Sequence, residues 1–103
     1  MRIAIIDSGL PYEYSYINEV NGFSVDFDEE KDLYCVIEAN CIDEIGHGTA
    51  IVNLFDSSTK NNSFDMYKIF TDSFETSEDK LICALEYIRK KHHYDLIHIS
   101  SGV

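Results

Sequence analysis

The chain has 103 residues, room for one small domain, and 45% of them are hydrophobic, enough to supply a core. The 19 acidic residues against 8 lysines and arginines give a formal charge of -11. That balance excludes a nucleic-acid surface built from clustered cations, and it disfavours docking on an anionic membrane.

Residues 2–6 are a short, mostly β-branched apolar run closed by Asp7-Ser8-Gly9, which predicts a strand buried on both faces as in a parallel sheet. Gly9 and Pro11 break it. Residues 22–27 (GFSVDF) alternate apolar and polar and predict a second strand, followed by the acidic loop DEEKD. Residues 33–39 form a weaker strand pattern. From His47 the spacing turns helical, with Ala50, Ile51, Leu54 and Phe55 expected along one apolar face. A polar loop over residues 56–63 leads to a strand over residues 65–70.

The best-formed helix pattern spans residues 78–92. Thr76 and Ser77 are candidate caps, Thr76 with Asp79 fits a capping box, and Leu81, Ala84, Leu85 and Ile88 make the apolar face. Acidic residues at its start and Arg89, Lys90, Lys91 and His92 at its end complement the helix dipole. Residues 95–100 (DLIHIS) predict a closing strand. Alternation of strands and helices predicts an α/β fold, a mainly parallel sheet with helices on both faces. In such sheets reactive groups gather beyond the carboxyl ends of the strands, where Asp7 stands.

Histidine is the common general base near neutral pH. To act on a hydroxyl it needs one ring nitrogen held and its cationic form stabilised, and a rigid carboxylate does both. Asp7 on a strand end and His47 at a helix start suit those two roles. The helix dipole at His47 opposes imidazolium, so a facing carboxylate has to outweigh it. Gly46 and Gly48 leave little bulk around the ring and are expected to let a substrate backbone approach. Thr49 is expected to satisfy exposed groups of the first helical turn.

An apolar strand ending D-S-G, then G-H-G-T opening a helix, then an apolar strand ending S-x-G, in that order on an α/β pattern, resembles the subtilisin-like serine proteases (subtilases). The likeness runs over residues 2–102. It implies a subtilisin-like fold, with residues 1–103 as the N-terminal portion of a larger three-layer catalytic domain, incomplete alone. It also implies Asp7 as the group orienting His47, His47 as the base, and Ser100, Ser101 and Gly102 as the segment pairing with substrate backbone. A chain opening at Met1 without a propeptide is similar to the compact intracellular subtilases. Ala50 stands where many subtilases carry a second histidine, and Ser101 where they usually carry a large apolar residue. The family's G-T-S-x-A nucleophile stretch and its oxyanion-hole asparagine loop have no counterpart in this sequence. The chain alone is therefore expected to be inactive. Its expected partners are the C-terminal remainder of the protease fold as a second chain, covering an otherwise unpaired sheet edge, and a peptide or protein substrate. A non-catalytic, subtilase-derived peptide-binding or regulatory module is the alternative. A small signalling domain with an acidic pocket at Asp7 would leave the G-H-G-T stretch unexplained.

No cofactor is expected. The acidic run Asp26, Asp28, Glu29, Glu30 and Asp32 is a calcium candidate without the ligand spacing or turn glycine of a dedicated loop. Cys35, Cys41 and His47 are too widely spaced to resemble a structural zinc site. Three cysteines cannot all pair within one chain, which points to free thiols. The N-terminal apolar run has neither the length of a membrane span nor the basic flank of a secretion signal, so a cytoplasmic location is expected. Cys83 is expected in the core, His92 and His93 at a basic helix end, and His98 within the sheet.

Overall fold

A computed structural model describes residues 1–11, 19–58, 61–71, 76–91 and 93–100. The elements are β1 (Arg2–Asp7), β2 (Glu19–Asp28), β3 (Leu33–Glu38), α1 (His47–Ser58), β4 (Ser63–Lys68), α2 (Glu78–Lys91) and β5 (Leu96–Ile99), an α/β arrangement. The five strands form one mixed sheet in the order β3-β2-β4-β1-β5. β1 pairs parallel with β4 and with β5, and β2 pairs parallel with β4. β3 runs antiparallel to β2, with Phe23 opposite Glu38 and Asp28 opposite Leu33. The reason is the connection: residues 29–32 are too few for a crossover and form a tight hairpin instead. Asp28 closes that turn by accepting hydrogen bonds from the Glu30 and Lys31 amides at 3.0 and 3.3 Å.

β1 lies between neighbours on both sides, and every residue from Ile3 to Asp7 is fully buried. Its alternation divides the core. Ile3 and Ile5 pack with Phe64, Met66 and Val52 on the α1 face, while Ala4 and Ile6 pack with Tyr67, Ala84 and Ile88 on the α2 face. The two helices thus cover opposite faces, and each fully buried large side chain contributes about 1.5–3 kcal/mol.

The helices agree unequally with their patterns. In α2 the residues Leu81, Ala84, Leu85 and Ile88 all join the core. Ser77 is the cap, its hydroxyl accepting from the Lys80 amide at 3.2 Å, so the Thr76–Asp79 box is not the device used. In α1 the phase is rotated from expectation. Val52 is fully buried and Ile51 and Phe55 pack beside it, whereas Leu54 is 60% exposed and Ala50 also faces outward. Gly48 sets that rotation. A Cβ there would stand 2.3 Å from the Gly9 carbonyl oxygen, so the helix presses its bare backbone onto the turn after β1. Val52 and Phe55, four and seven residues on, follow Gly48 to the same face.

β5 is an edge among the described strands, and Leu96, Ile97 and Ile99 remain 38–43% exposed. His98 lies within β5 and meets Phe55 edge-on at 5.9 Å. The described cysteines are free thiols: Cys41 is buried, and Cys35 and Cys83 are half-buried. Cys83 packs against the α2-face core. No described helix is long and apolar enough to cross a membrane.

Candidate active site

β1 delivers Asp7 to the carboxyl end of the sheet on the α1 face, where its register partner on β4 is Lys68. The backbone there is fixed: the Asp7 carbonyl accepts from the Ile69 and Phe70 amides at 3.0 and 3.4 Å. The side chain is fully buried, and a buried carboxylate carries an uncompensated penalty of several kcal/mol unless donors replace its water. Here they do. His47 Nδ1 stands 2.8 Å from one oxygen and 3.0 Å from the other. The Ser8 amide donates to Oδ1 at 2.7 Å, and the Ser100 hydroxyl donates to Oδ2. Since the carboxylate only accepts, Nδ1 is the protonated nitrogen of the pair. The imidazole keeps 42% of its side-chain surface exposed although its partner is sealed.

The segment before α1 brings His47 to this place. Leu10 and Ile42 form an isolated parallel bridge, with Leu10 N donating to the Cys41 carbonyl at 2.8 Å and Asp43 N to the Leu10 carbonyl at 2.9 Å. Lys68 Nζ donates to the Ile42 carbonyl at 2.6 Å and lies 3.7 Å from Glu44, fastening the same segment to β4. Gly46 then turns the chain into the helix with φ of 98°, a conformation that a side chain would strain. The glycines flanking His47 therefore answer to this chain's own backbone: Gly46 to its φ, Gly48 to the close approach of Gly9.

The first helical turn is capped from a distance. Asp43 Oδ1 accepts from the Ile45 and Gly46 amides at 3.0 and 2.8 Å and from the Ser8 hydroxyl at 2.6 Å. Its Oδ2 accepts from the Thr49 amide at 2.8 Å and the Thr49 hydroxyl at 2.6 Å. Ser8 Oγ in turn accepts from the Gly48 amide at 2.9 Å. Burial alone would raise the Asp43 pKa, but the hydrogen bonds from Ser8, Thr49 and the Gly46 and Thr49 amides outweigh it and hold the carboxyl at about 2. Thr49 is thus a donor to the cap rather than the cap itself. Asp43 and Ser8 were not singled out from the sequence. The available signal was an aspartate followed at two and three residues by amides entering a helix, a pattern in which a short carboxylate commonly bonds forward to the backbone.

The structure brings Asp7, His47 and the side chain of Ser100 together. The Ser100 amide also donates to the Ile6 carbonyl at 3.1 Å, prolonging the β1–β5 ladder. Ser101 and Gly102 lie outside the described residues. Among the described residues no group of three or more His, Cys, Asp or Glu side chains stands together to hold a metal ion. Of the acidic run, Asp28 serves its turn, and Asp26 accepts from the Ser24 hydroxyl at 3.0 Å. Searches for likeness found no matching family model, no matching curated protein and no matching solved structure.

Proposed function

We propose that this chain supplies the orienting aspartate and the general base of a subtilisin-like serine endopeptidase, with the serine and oxyanion hole carried on a second, C-terminal chain. The observation that carries the reading is the bond from His47 Nδ1 to a wholly buried Asp7, with the ring itself still 42% exposed. With Nδ1 committed to Asp7, proton transfer falls to Nε2. That nitrogen takes the proton of the attacking serine hydroxyl as the serine oxygen bonds to the peptide carbonyl carbon. It then gives the proton to the leaving amine as the C–N bond breaks, and water repeats the sequence on the acyl-enzyme. Asp7 fixes the ring and offsets the charge that forms on it, against the opposing helix dipole.

In the same reading the sheet is the N-terminal portion of a larger, mainly parallel, subtilisin-like domain in the cytoplasm. Ser100, Ser101 and Gly102 are the segment that would pair with the substrate backbone. The exposed Leu96, Ile97 and Ile99 on the β5 edge are the surface the second chain would cover. One observation favours a second reading, a non-catalytic peptide-binding or regulatory module: the sequence contains no G-T-S-x-A stretch.

The test is to recover the tagged protein with whatever binds it and treat it with a fluorophosphonate serine probe, reading intact masses under denaturing conditions. The protease reading expects an adduct on a second chain that disappears when His47→Ala replaces the wild type. Recovery of a bound second chain that takes no probe would leave the binding module standing and remove the enzyme.

A further inference from the structure

The His47–Asp7 bond joins side chains from two segments, and two hydrogen bonds could swing apart with any shift of the α1 start. What prevents such a shift is a second carboxylate. Asp43 accepts five hydrogen bonds, from Ser8 Oγ, the Ile45, Gly46 and Thr49 amides and Thr49 Oγ1, which uses both of its oxygens fully. Ser8 is the hinge pin between the two halves of the pair. Its amide donates to Asp7 Oδ1, its hydroxyl donates to Asp43, and that same hydroxyl accepts from the Gly48 amide next to His47. The buried Ser8 thus ties the start of α1 to the strand end that carries Asp7.

From this we infer that Asp43 and Ser8 are positioning residues for the proposed base: together they fix the distance and angle at which His47 Nδ1 meets Asp7, without touching substrate. The inference rests on the Asp7–His47 reading above. Its physical basis is that a displacement of about 1 Å at a reacting group is enough to lose on the order of a hundredfold in rate. The contact at Gly48 supplies the opposing stop. A Cβ at Gly48 would stand only 2.3 Å from the Gly9 carbonyl oxygen, so little room is left for α1 to approach the turn after β1, and the Asp43–Ser8–Gly48 bonds oppose its moving away. An amide at position 43 would replace one accepting oxygen with a donor aimed at donors already in place.

The test reads the imidazole directly in the 103-residue protein, labelled with ¹⁵N at histidine. The wild type should show a far-downfield Nδ1 proton assigned to His47 and protected from exchange with water. In Asp43→Asn and Ser8→Ala that proton should exchange about tenfold faster, the effect expected when a charge-assisted hydrogen bond holding the closed geometry is lost. Backbone amides of β1 and β4 should keep their wild-type protection, which separates positioning from general loosening. Thr49→Val removes one of the five donors and should quicken exchange less, while Thr49→Ser retains the hydroxyl and should restore the wild-type rate. These two variants keep the test decisive if either larger change prevents folding. Unchanged Nδ1 exchange in folded Asp43→Asn or Thr49→Val overturns the positioning role and leaves the Asp7–His47 pair intact. Absence of a protected Nδ1 proton in the wild type overturns the pair, and the positioning role with it.

Discussion

Two buried aspartates stand at opposite ends and on opposite faces of this sheet, and they are satisfied in different ways. Asp7, at the carboxyl end on the α1 face, faces a histidine whose ring reaches solvent. Asp65, toward the amino ends of the strands on the α2 face, is only 3% exposed and accepts from Asn21 Nδ2 at 3.0 Å and from the Tyr94 hydroxyl at 2.5 Å. Arg2 adds an ion pair at 3.4 Å. Because Tyr94 gives its one proton to Asp65, the Tyr67 hydroxyl, 2.5 Å away, must donate to Tyr94. Burial raises the Tyr94 pKa far above the ordinary phenol value, and the bond it donates to Asp65 pushes it further. Burial also pushes Tyr67 up to about 12. One carboxylate is thus locked by partners that hold their protons across the neutral range. The other is paired with the single side-chain type that exchanges protons there. Burial of an acid does not mark a site; the partner does.

Substitutions should separate the two. The largest effect is expected from Asp7→Asn on reactivity. In material carrying a probe-reactive second chain, the labelling rate should fall by about 10⁴-fold, as when a triad aspartate loses its charge. Stability in urea should meanwhile change by about 1 kcal/mol at most, because removing a buried charge offsets the weakened bonds. A loss of stability without loss of labelling would make Asp7 structural, like Asp65.

Tyr94→Phe should do the reverse. It strips the buried Asp65 of its shortest hydrogen bond and Tyr67 of its acceptor, so urea denaturation should show a loss of about 3 kcal/mol. His47 and its bond to Asp7 should be untouched. A stability change within error would mean that Asn21 and Arg2 suffice for Asp65.

The pH dependence of unfolding should sharpen the same contrast. Asp43 is held at about 2 against an unfolded value of 3.8, so the stability it contributes is complete above 3.8 and is lost as pH falls toward 2. Tyr67 titrates at about 12 against 10.0, so its contribution is present below 10 and is lost as pH rises toward 12. Asp43→Asn should flatten the acid limb alone, and Tyr67→Phe the alkaline limb alone, in thermal melts across pH.

The smallest effect is expected at the β5 edge. Ile97→Lys, at a position 43% exposed, should move stability by no more than about 0.5 kcal/mol. It should nevertheless reduce recovery of the proposed second chain. Undiminished recovery would place that chain elsewhere.

What the sequence disclosed follows from how local each feature is. Asp7 and His47 were legible because each sits in a short motif at the end of a regular element. The α2 helix was legible because its periodicity and terminal charges agree within one continuous segment. The phase of α1 was not, because Gly48 reads locally as permissive, and only its contact with Gly9 shows which side of the helix faces inward. Asp43 and Ser8 are 35 residues apart, and Asp65 and Tyr94 are 29 apart. Nothing in the spacing of either pair signals a bond, since sheet topology alone brings them together. The antiparallel β3 came from the shortness of the 29–32 turn, which was visible as an acidic loop but whose consequence for strand direction had to be seen in the fold.

The central claim is that Asp7 holds His47 through Nδ1 and so leaves Nε2 to move the proton. Its most direct test is the tautomer of His47 in the 103-residue protein, read from long-range ¹H–¹⁵N couplings at a pH where the ring is neutral. The account predicts the Nδ1–H form in the wild type and a shift toward the Nε2–H form when Asp7→Ala removes the carboxylate. A neutral ring carrying its proton on Nε2 in the wild type would contradict it.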